Sequence, residues 1–510
     1  MKERANPLLE AWAGPYGLPP FGAFTTADFG PAFDVAMAEH EKEVRAIAQD
    51  AAPPDFPGTI EALDRSGQSL RRVASLFFNL CGSRTDEALQ AVESEYSPKL
   101  AAHFSALLLD QELFSRVDKV HQGRLGSGLS PLQIRLVERT HLNFLLAGAR
   151  LDEGGRKRMG EIVEELARLS TTFGHYVLAD EDEWFLDLGE AGIAGLPAFL
   201  VDGAAEAARA KGRDGWLITL SRSFVEPFLA TSPRRDLRKK VHEAFVSRGE
   251  MKDERDTKPV IKGIMRLRSE QARLHGYPNY AEFALRDRMA QRPAAVAELL
   301  GKVWKPALEA ARAEEARLLE LARPDGLDRV EAWDWRYYAE KIRQRDYRLD
   351  DAELKPYFSL DNMLKAMFYT AGRLFGVSFR EIEGQTLYHP DARLFEMLDG
   401  AGRLQGIYIA DNFARTGKRS GAWMSNYREQ SRGILPIVVN NTNFTKGGQG
   451  EPTLIGFDDA KTLFHEFGHG LHGLLSDVDY ETLSGTNVLR DFVELPSQLF
   501  EHWAMAPEVL

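Results

Sequence analysis

The sequence predicts a mainly helical protein with a small β-sheet in the last quarter of the chain. Two observations predict this fold class. Apolar residues recur at helical spacing over most of the chain, beginning with Phe33, Met37, Val44 and Ile47. Segments typical of strands are concentrated between residues 393 and 440, directly before one further amphipathic helix. We therefore expect the small sheet to lie beside that last helix.

The composition is that of an ordinary globular protein and argues against several classes. Of the 510 residues, 44% are hydrophobic and 27% are charged, which allows a substantial core. A net charge of −12 argues against nucleic acid as a partner. No run approaches about 18 apolar residues and no apolar signal segment follows Met1, so we expect no membrane partner and a cytoplasmic location. The single cysteine, Cys81, cannot form an internal disulfide, and the oligomeric state is left open.

The first part of the chain is predicted to be a series of helices. Residues 1–30 are rich in proline, glycine and aromatic residues and are expected to be extended. Successive long helices are expected over residues 59–176. The helical pattern is continuous there except where glycine clusters separate one helix from the next. Two short strands, at residues 184–188 and 216–220, are predicted on either side of a helix near 204–211.

The later part of the chain is predicted to hold most of the strands. A long, densely charged helix over residues 294–322 is interpreted as solvent-exposed. Two apolar segments, 393–398 and 404–409, flank Asp-Gly-Ala-Gly and predict a β-hairpin. A further strand is predicted at 435–440. Because Pro436 cannot donate a ladder hydrogen bond, this strand is expected either to lie at an edge or to begin at the proline.

Residues 458–472 form the helix that is most informative about chemistry. It contains His-Glu-x-x-His, in which His465 and His469 are four residues apart and share one helix face. Two neutral imidazoles in this arrangement can hold one Zn²⁺, and Glu466 lies beside the metal, where it can accept a proton from water. The alternative is a buried helix with two ordinary histidines.

Glu494 favours the metal site over that alternative. A catalytic zinc site needs a third protein ligand and one open position, and two histidines with a glutamate are an established set. Glu494 follows His469 by twenty-five residues and is predicted to lie on a second helix packed against the first. His472 shares the face of the ligands, but a fourth ligand would close the open position, so we assign it a packing or outer role. Asp491 and Glu501 are both candidates to accept the second N–H of a metal-bound histidine.

Together these motifs resemble the thimet oligopeptidase family of zinc metallopeptidases, and most closely its bacterial peptidyl-dipeptidase (dipeptidyl carboxypeptidase) branch. The resemblance runs over the whole chain. The stretches that carry it are residues 465–472, 491–498, 6–9, 15–20, 333–335, 354–358, 388–390, 421–424 and 483–487. It implies a mainly helical, two-lobed zinc metallopeptidase whose site lies deep in a channel that admits only short peptides.

The resemblance also implies roles and regions. It implies one zinc per chain, held by His465, His469 and Glu494, with Glu466 as the general base. We expect residues 1–230 to form an N-terminal helical region and residues 231–510 to form the catalytic region. Members of the family carry a later segment, rich in glycine and tyrosine, that stabilises the oxyanion. The sequence ends before such a segment, so the catalytic region is expected to lack its C-terminal part.

Three functions remain open at this stage. The chain could release C-terminal dipeptides, cut inside short peptides as an oligopeptidase, or bind peptides without cutting them. Residues 421–424 are predicted to form a sheet edge on which an extended peptide can lie by strand addition. Lys418 and Arg419 lie near this edge and are considered for capture of a substrate carboxylate, but are interpreted as solvated loop charges.

Overall fold

A computed structural model describes residues 4–348, 354–447 and 450–509. Within these ranges the chain is mainly helical, as predicted. The helices are α1 (Phe29–Ala48), α2 (Ala62–Arg65), α3 (Gln68–Ser83), α4 (Glu87–Leu109), α5 (Gln111–Gly123), α6 (Pro131–Ala147), α7 (Glu153–Glu183), α8 (Gly189–Ile193), α9 (Ala198–Ala210), α10 (Arg222–Thr231), α11 (Arg235–Val246), α12 (Thr257–Leu274), α13 (Tyr280–Ala284), α14 (Pro293–Ala322), α15 (Ala332–Tyr347), α16 (Leu360–Phe375), α17 (Phe457–Leu474) and α18 (Glu494–Glu501).

The strands form two sheets. Their bounds are β1 (Phe185–Asp187), β2 (Leu217–Thr219), β3 (Ser378–Ile382), β4 (Arg393–Leu398), β5 (Leu404–Phe413), β6 (Trp423–Arg428) and β7 (Ile437–Phe444). Strands β1 and β2 pair with each other, and the second sheet has the order β3-β4-β5-β7-β6. Strands β5 and β7 are parallel, whereas the other neighbours are antiparallel.

The strand predictions are largely confirmed. Strands β4 and β5 form the predicted hairpin, and β1 and β2 flank α9 as expected. Helix α9 begins six residues before the predicted start, directly after Pro197, because proline is well tolerated where a helix begins. Strand β7 begins directly after Pro436 but lies between β5 and β6, so the strand-start alternative is right and the edge alternative is wrong. Strand β6 occupies an outer position, so the predicted edge is confirmed for residues 423–424, whereas residues 421–422 precede the strand.

Both faces of the five-stranded sheet are covered by helices. Ile407 and Ile409 of β5 pack in a cluster with residues of α1 and α3. Tyr408 and Ala410, which alternate with them, pack in a cluster with residues of α16 and α17. A strand covered on both faces has no solvent-exposed side, and all eight residues of β7, its polar ones included, are buried. Helix α17, which carries the His-Glu-x-x-His motif, is therefore seated on the central strands of a covered sheet.

Helix α14 has the predicted length and exposure, but its exposed surface is not only charged. Leu299, Leu300, Val303 and Trp304 are all exposed, and 70% of Trp304 is accessible to solvent. The interpretation of a charged, solvated face is therefore incomplete. Among the described residues, no helix has both the length and the apolar character needed to cross a membrane.

Lys418 is buried, so its interpretation as a solvated loop charge is wrong. Its side chain is 0% exposed, and its ammonium donates to Asp411 Oδ1 at 2.9 Å. It also donates to the carbonyl oxygens of Phe413, at 3.1 Å, and Thr442, at 2.7 Å. Burial lowers the pKa of Lys418 to about 8, although the charge of Asp411 opposes this shift. With its donors used inside the fold, this ammonium is not placed to capture a substrate carboxylate.

The carboxylate of Asp411 is shared by several partners. Tyr388 donates to its Oδ2 at 2.6 Å, and Arg415 donates to both oxygens at 2.8 and 2.5 Å. Burial alone would raise the pKa of Asp411, but the hydrogen bonds from Arg415 and the charge of Lys418 lower it. The cluster links β5 to the loop that leads into β6. Arg419, the other residue considered for carboxylate capture, lies outside this cluster: its guanidinium is 4.6 Å from the ring centroid of Trp423.

We expect Asp411→Ala to lower the free energy of unfolding by about 3–5 kcal/mol, because it leaves the Lys418 charge buried without its partner. The measurement is urea-induced unfolding followed by circular dichroism. The matched control is Asp479→Ala, which removes an ion pair between exposed side chains with Arg432 and should cost less than about 1 kcal/mol. Equal losses of unfolding free energy for the two variants would contradict the assignment of Asp411 as the partner of the buried Lys418 charge.

Candidate metal centre

The structure brings the three predicted ligand residues together. Glu494 Oε2 lies 3.2 Å from His465 Nε2 and 3.1 Å from His469 Nε2. The three ligand atoms all lie within 4.8 Å of one another. Ligand atoms about 2.1 Å from a tetrahedral zinc ion are roughly 3.4 Å apart, so the donor set and its spacing fit such an ion. The Glu494 side chain is 53% exposed, so one side of the group is accessible to solvent.

A glycine allows the two helices to meet closely enough for this geometry. A Cβ atom on Gly468 of α17 would lie 2.6 Å from the Cα of Ser497 in α18, closer than side chains tolerate. The interface is completed by Phe500, whose ring lies 5.5 Å from that of Phe464. Ser497 also donates to Glu494 Oε2 at 3.0 Å, which orients the carboxylate. The Gly at the fourth position of the motif therefore decides where Glu494 lies.

Glu501 holds one histidine in the orientation that a metal requires. Its Oε2 lies 3.2 Å from His465 Nδ1, and its Oε1 lies 3.0 Å from the ammonium of Lys461. Burial would raise the pKa of Glu501, but the hydrogen bonds from Lys461 and His465 lower it. An ionised carboxylate at Nδ1 favours the proton on that nitrogen, which leaves Nε2 free to bind a metal. Of the two predicted outer partners, Glu501 is the one that the structure places there.

Asp491 has a different role. Its two carboxylate oxygens accept hydrogen bonds from the backbone N–H groups of Met289, at 2.9 Å, and Ala290, at 3.0 Å. The prediction that Asp491 could be the partner of a metal-binding histidine is therefore wrong. It instead connects the segment before α18 to the loop before α14.

Glu466 lies buried beside the three predicted ligands. The residue is only 7% exposed. Burial, and secondly the negative charge of Glu494, raise the pKa of Glu466 to about 7 in the metal-free protein. A carboxylate in such surroundings can take up and release a proton near neutral pH. His472 is not part of the ligand group, and burial lowers its pKa, in keeping with the packing role.

Two buried polar residues beneath α17 were missed from the sequence. Asn440 of β7 faces Gly470, where a Cβ would lie 3.4 Å from Asn440 Oδ1. Tyr408 of β5 is fully buried, and burial together with the charge of Glu466 raises its pKa. The signal that could have found Asn440 is the run Asn-Asn-Thr-Asn in an otherwise apolar strand, because buried amides need a reason to be there.

The fold and the site together define a metallopeptidase. Residues 228–510 match the family model described as Peptidase family M3. The dipeptidyl carboxypeptidases of Salmonella typhimurium and Escherichia coli are each 40% identical to this chain over 510 residues. Oligopeptidase A of Salmonella typhimurium is 31% identical over 517 residues. Each of these alignments covers 99% of this chain and 75% of the relative. The chain belongs to peptidase family M3.

We predict that His465→Ala and Glu494→Ala each abolish stoichiometric zinc binding, because the two remaining ligands bind the ion too weakly to retain it during dialysis. The matched control is His472→Ala, which removes a neighbouring imidazole outside the group and should retain the metal. Zinc content is measured by elemental analysis after dialysis of the purified proteins. The ligand assignment would be contradicted if His465→Ala kept its full zinc content. It would also be contradicted if His472→Ala were the one variant that lost zinc.

Proposed function

We propose that this protein is a zinc peptidase that releases dipeptides from the C-terminal end of short peptides. The observation that carries the proposal is the convergence of His465, His469 and Glu494 on one point. Glu494 Oε2 lies 3.2 Å from His465 Nε2 and 3.1 Å from His469 Nε2. The identity of 40% with two dipeptidyl carboxypeptidases, against 31% with an oligopeptidase A, supports the exopeptidase specificity. The proposal includes one zinc ion per chain.

The residues of the chain have distinct tasks in this reaction. His465, His469 and Glu494 would hold the zinc ion, which when bound would supply a Lewis acid for water and for the scissile carbonyl. Glu466 accepts the proton of the attacking water and passes it to the amine of the leaving dipeptide, a role that its buried position beside the ligands allows. Glu501 keeps the His465 ring in place throughout.

The proposed function also includes an arrangement of two regions of the chain around the metal. Residues 1–230 form the N-terminal helical region and residues 231–510 form the catalytic region, with the metal in a deep channel between two lobes that admits short peptides. The start of the family match at residue 228 supports the boundary. An extended substrate pairs with the outer edge of β6, which is the edge strand of the sheet beneath α17.

A second candidate function is that of an oligopeptidase that cuts inside short peptides. The 31% identity with oligopeptidase A over 99% of the chain favours it. The two functions differ in one requirement: an exopeptidase must recognise the free carboxylate of its substrate. Buried Lys418 does not meet this requirement, so the recognising group lies elsewhere.

We expect Glu466→Gln to abolish hydrolysis while zinc content stays near that of the parent protein, because the amide cannot accept a proton. The loss in kcat should be at least about 10²–10⁴-fold, the usual contribution of a general base. The control is Glu451→Gln at an exposed position. Loss of zinc with activity would show a structural role for Glu466, and substantial residual activity would remove its assignment as base.

We expect a peptide with a free C-terminus to release its C-terminal dipeptide, and the corresponding C-terminal amide to be cleaved at least about tenfold more slowly. The reason is that the charge-assisted hydrogen bonds to the carboxylate are lost on amidation. Mass spectrometry identifies the products. Equal cleavage of both peptides at an interior bond would favour the oligopeptidase function instead.

A further inference from the structure

Helix α3 reaches the outer edge of β6 and occupies part of it. Ser75 Oγ donates to the carbonyl oxygen of Tyr427 at 2.9 Å, and Asn79 Nδ2 donates to that of Asn426 at 3.0 Å. The hydroxyl of Ser425 in turn donates to Asn79 Oδ1 at 2.5 Å. The register of β6 shifts between Asn426 and Arg428, and in this later half of the strand both carbonyls are already hydrogen-bonded to α3.

The earlier half of the edge is open in the sense that its backbone has no hydrogen bond from α3; the last turn of the helix still lies beside it, and a Cβ on Gly82 would lie 3.4 Å from Cζ2 of Trp423. Met424 precedes Asn426 by two residues and Ala422 by four, so in extended chain their backbone groups point to the same side as those of Asn426. Within the described part of the chain, no side chain donates to or accepts from the backbone of Ala422 or Met424. The edge that can accept an added strand thus extends over about three residues, 422–424.

The relation between α17 and β7 shows which direction leads to the metal ligands. Val438 lies beside Gly473, with its Cγ2 3.1 Å from the Cβ position of the glycine. Asn440 lies beside Gly470, three residues earlier in the helix. Passing along β7 from Val438 to Asn440 therefore leads along α17 toward His469.

The register of β6 transfers this direction to the edge. Asn426 is paired with Val438, and Met424 is paired with Asn440. The open part of the edge is consequently the end nearer the ligands, and the part closed by α3 is the end farther from them. Strand β6 runs away from the ligands, so a peptide that pairs antiparallel to it runs toward them.

We propose that Asn79 and Ser75 are specificity-determining residues that limit how many substrate residues on the N-terminal side of the scissile bond pair with β6. The inference rests on the proposed function. An antiparallel peptide pairs along residues 422–424 and then has to leave the edge, because the Asn426 carbonyl is taken by Asn79. About three residues before the scissile bond then lie along the edge; the two opposite Met424 and Ala422 gain backbone hydrogen bonds, and residues beyond them gain none.

The test is a peptide series with one fixed C-terminal part and one to six residues before the scissile bond. Binding is measured by calorimetry to the zinc-loaded Glu466→Gln protein, which does not consume the peptides. Affinity should rise until about the third residue and then stay level. Adding Asn79→Ala and Ser75→Ala frees the edge, so affinity should continue to rise until about the fifth residue, by roughly tenfold in total.

Two further variants separate this role from a purely structural one. Asn79→Asp keeps the size of the side chain but cannot donate to the Asn426 carbonyl. It should therefore also move the level point, the peptide length at which affinity stops rising, to longer peptides. Ser69→Ala, on the same helix and without a hydrogen bond to the described residues, should leave the level point unchanged. A lower melting temperature without a shift of the level point would show that the contacts only stabilise the fold, and would overturn the inference.

The outcomes also distinguish this inference from the proposed function. If peptides bind but the level point is the same in every variant, the role of α3 is refuted and the peptidase assignment stands. If no peptide of the series binds to the zinc-loaded protein, both the proposed function and the role of α3 are refuted.

Discussion

The metal centre depends on how closely the backbones of two helices approach each other. At Gly468 the position of a side chain is filled by the Cα of Ser497, so any larger residue would push α18 away from α17. Glu494 is the first residue of α18 and would move with it. Because a metal site tolerates errors of only about half an ångström, a larger residue at position 468 would disturb the proposed centre.

The surroundings of the centre come from distant parts of the chain. The sheet beneath α17 is covered on its other face by α1 and α3, so helices from the first hundred residues complete the core that positions the ligands. The ion cluster around Asp411 fixes the loop before β6, and α3 closes half of that strand's edge. The site is thus supported from below by apolar packing and laterally by polar contacts.

Local patterns were sufficient to predict the helix with His465 and His469 and the hairpin, since each is encoded by residues close in sequence. Lys418 could not be predicted as buried, because a lysine in a polar loop gives no sign of the carboxylate it will meet. The choice between Asp491 and Glu501 also depended on tertiary placement. The contact between Asn79 and Ser425 joins residues 346 positions apart, a separation at which no periodicity carries information.

Helix α14 has a consequence for the behaviour of the protein in solution. Four large apolar side chains, including Trp304, are exposed along one stretch of it among lysines and glutamates. Water ordered around such a surface makes it sensitive to the kind of salt present: sulfate and phosphate strengthen apolar association, whereas urea weakens it. Crystallisation from ammonium sulfate would therefore drive this helix into lattice contacts, and retention on a hydrophobic resin would report its exposure directly.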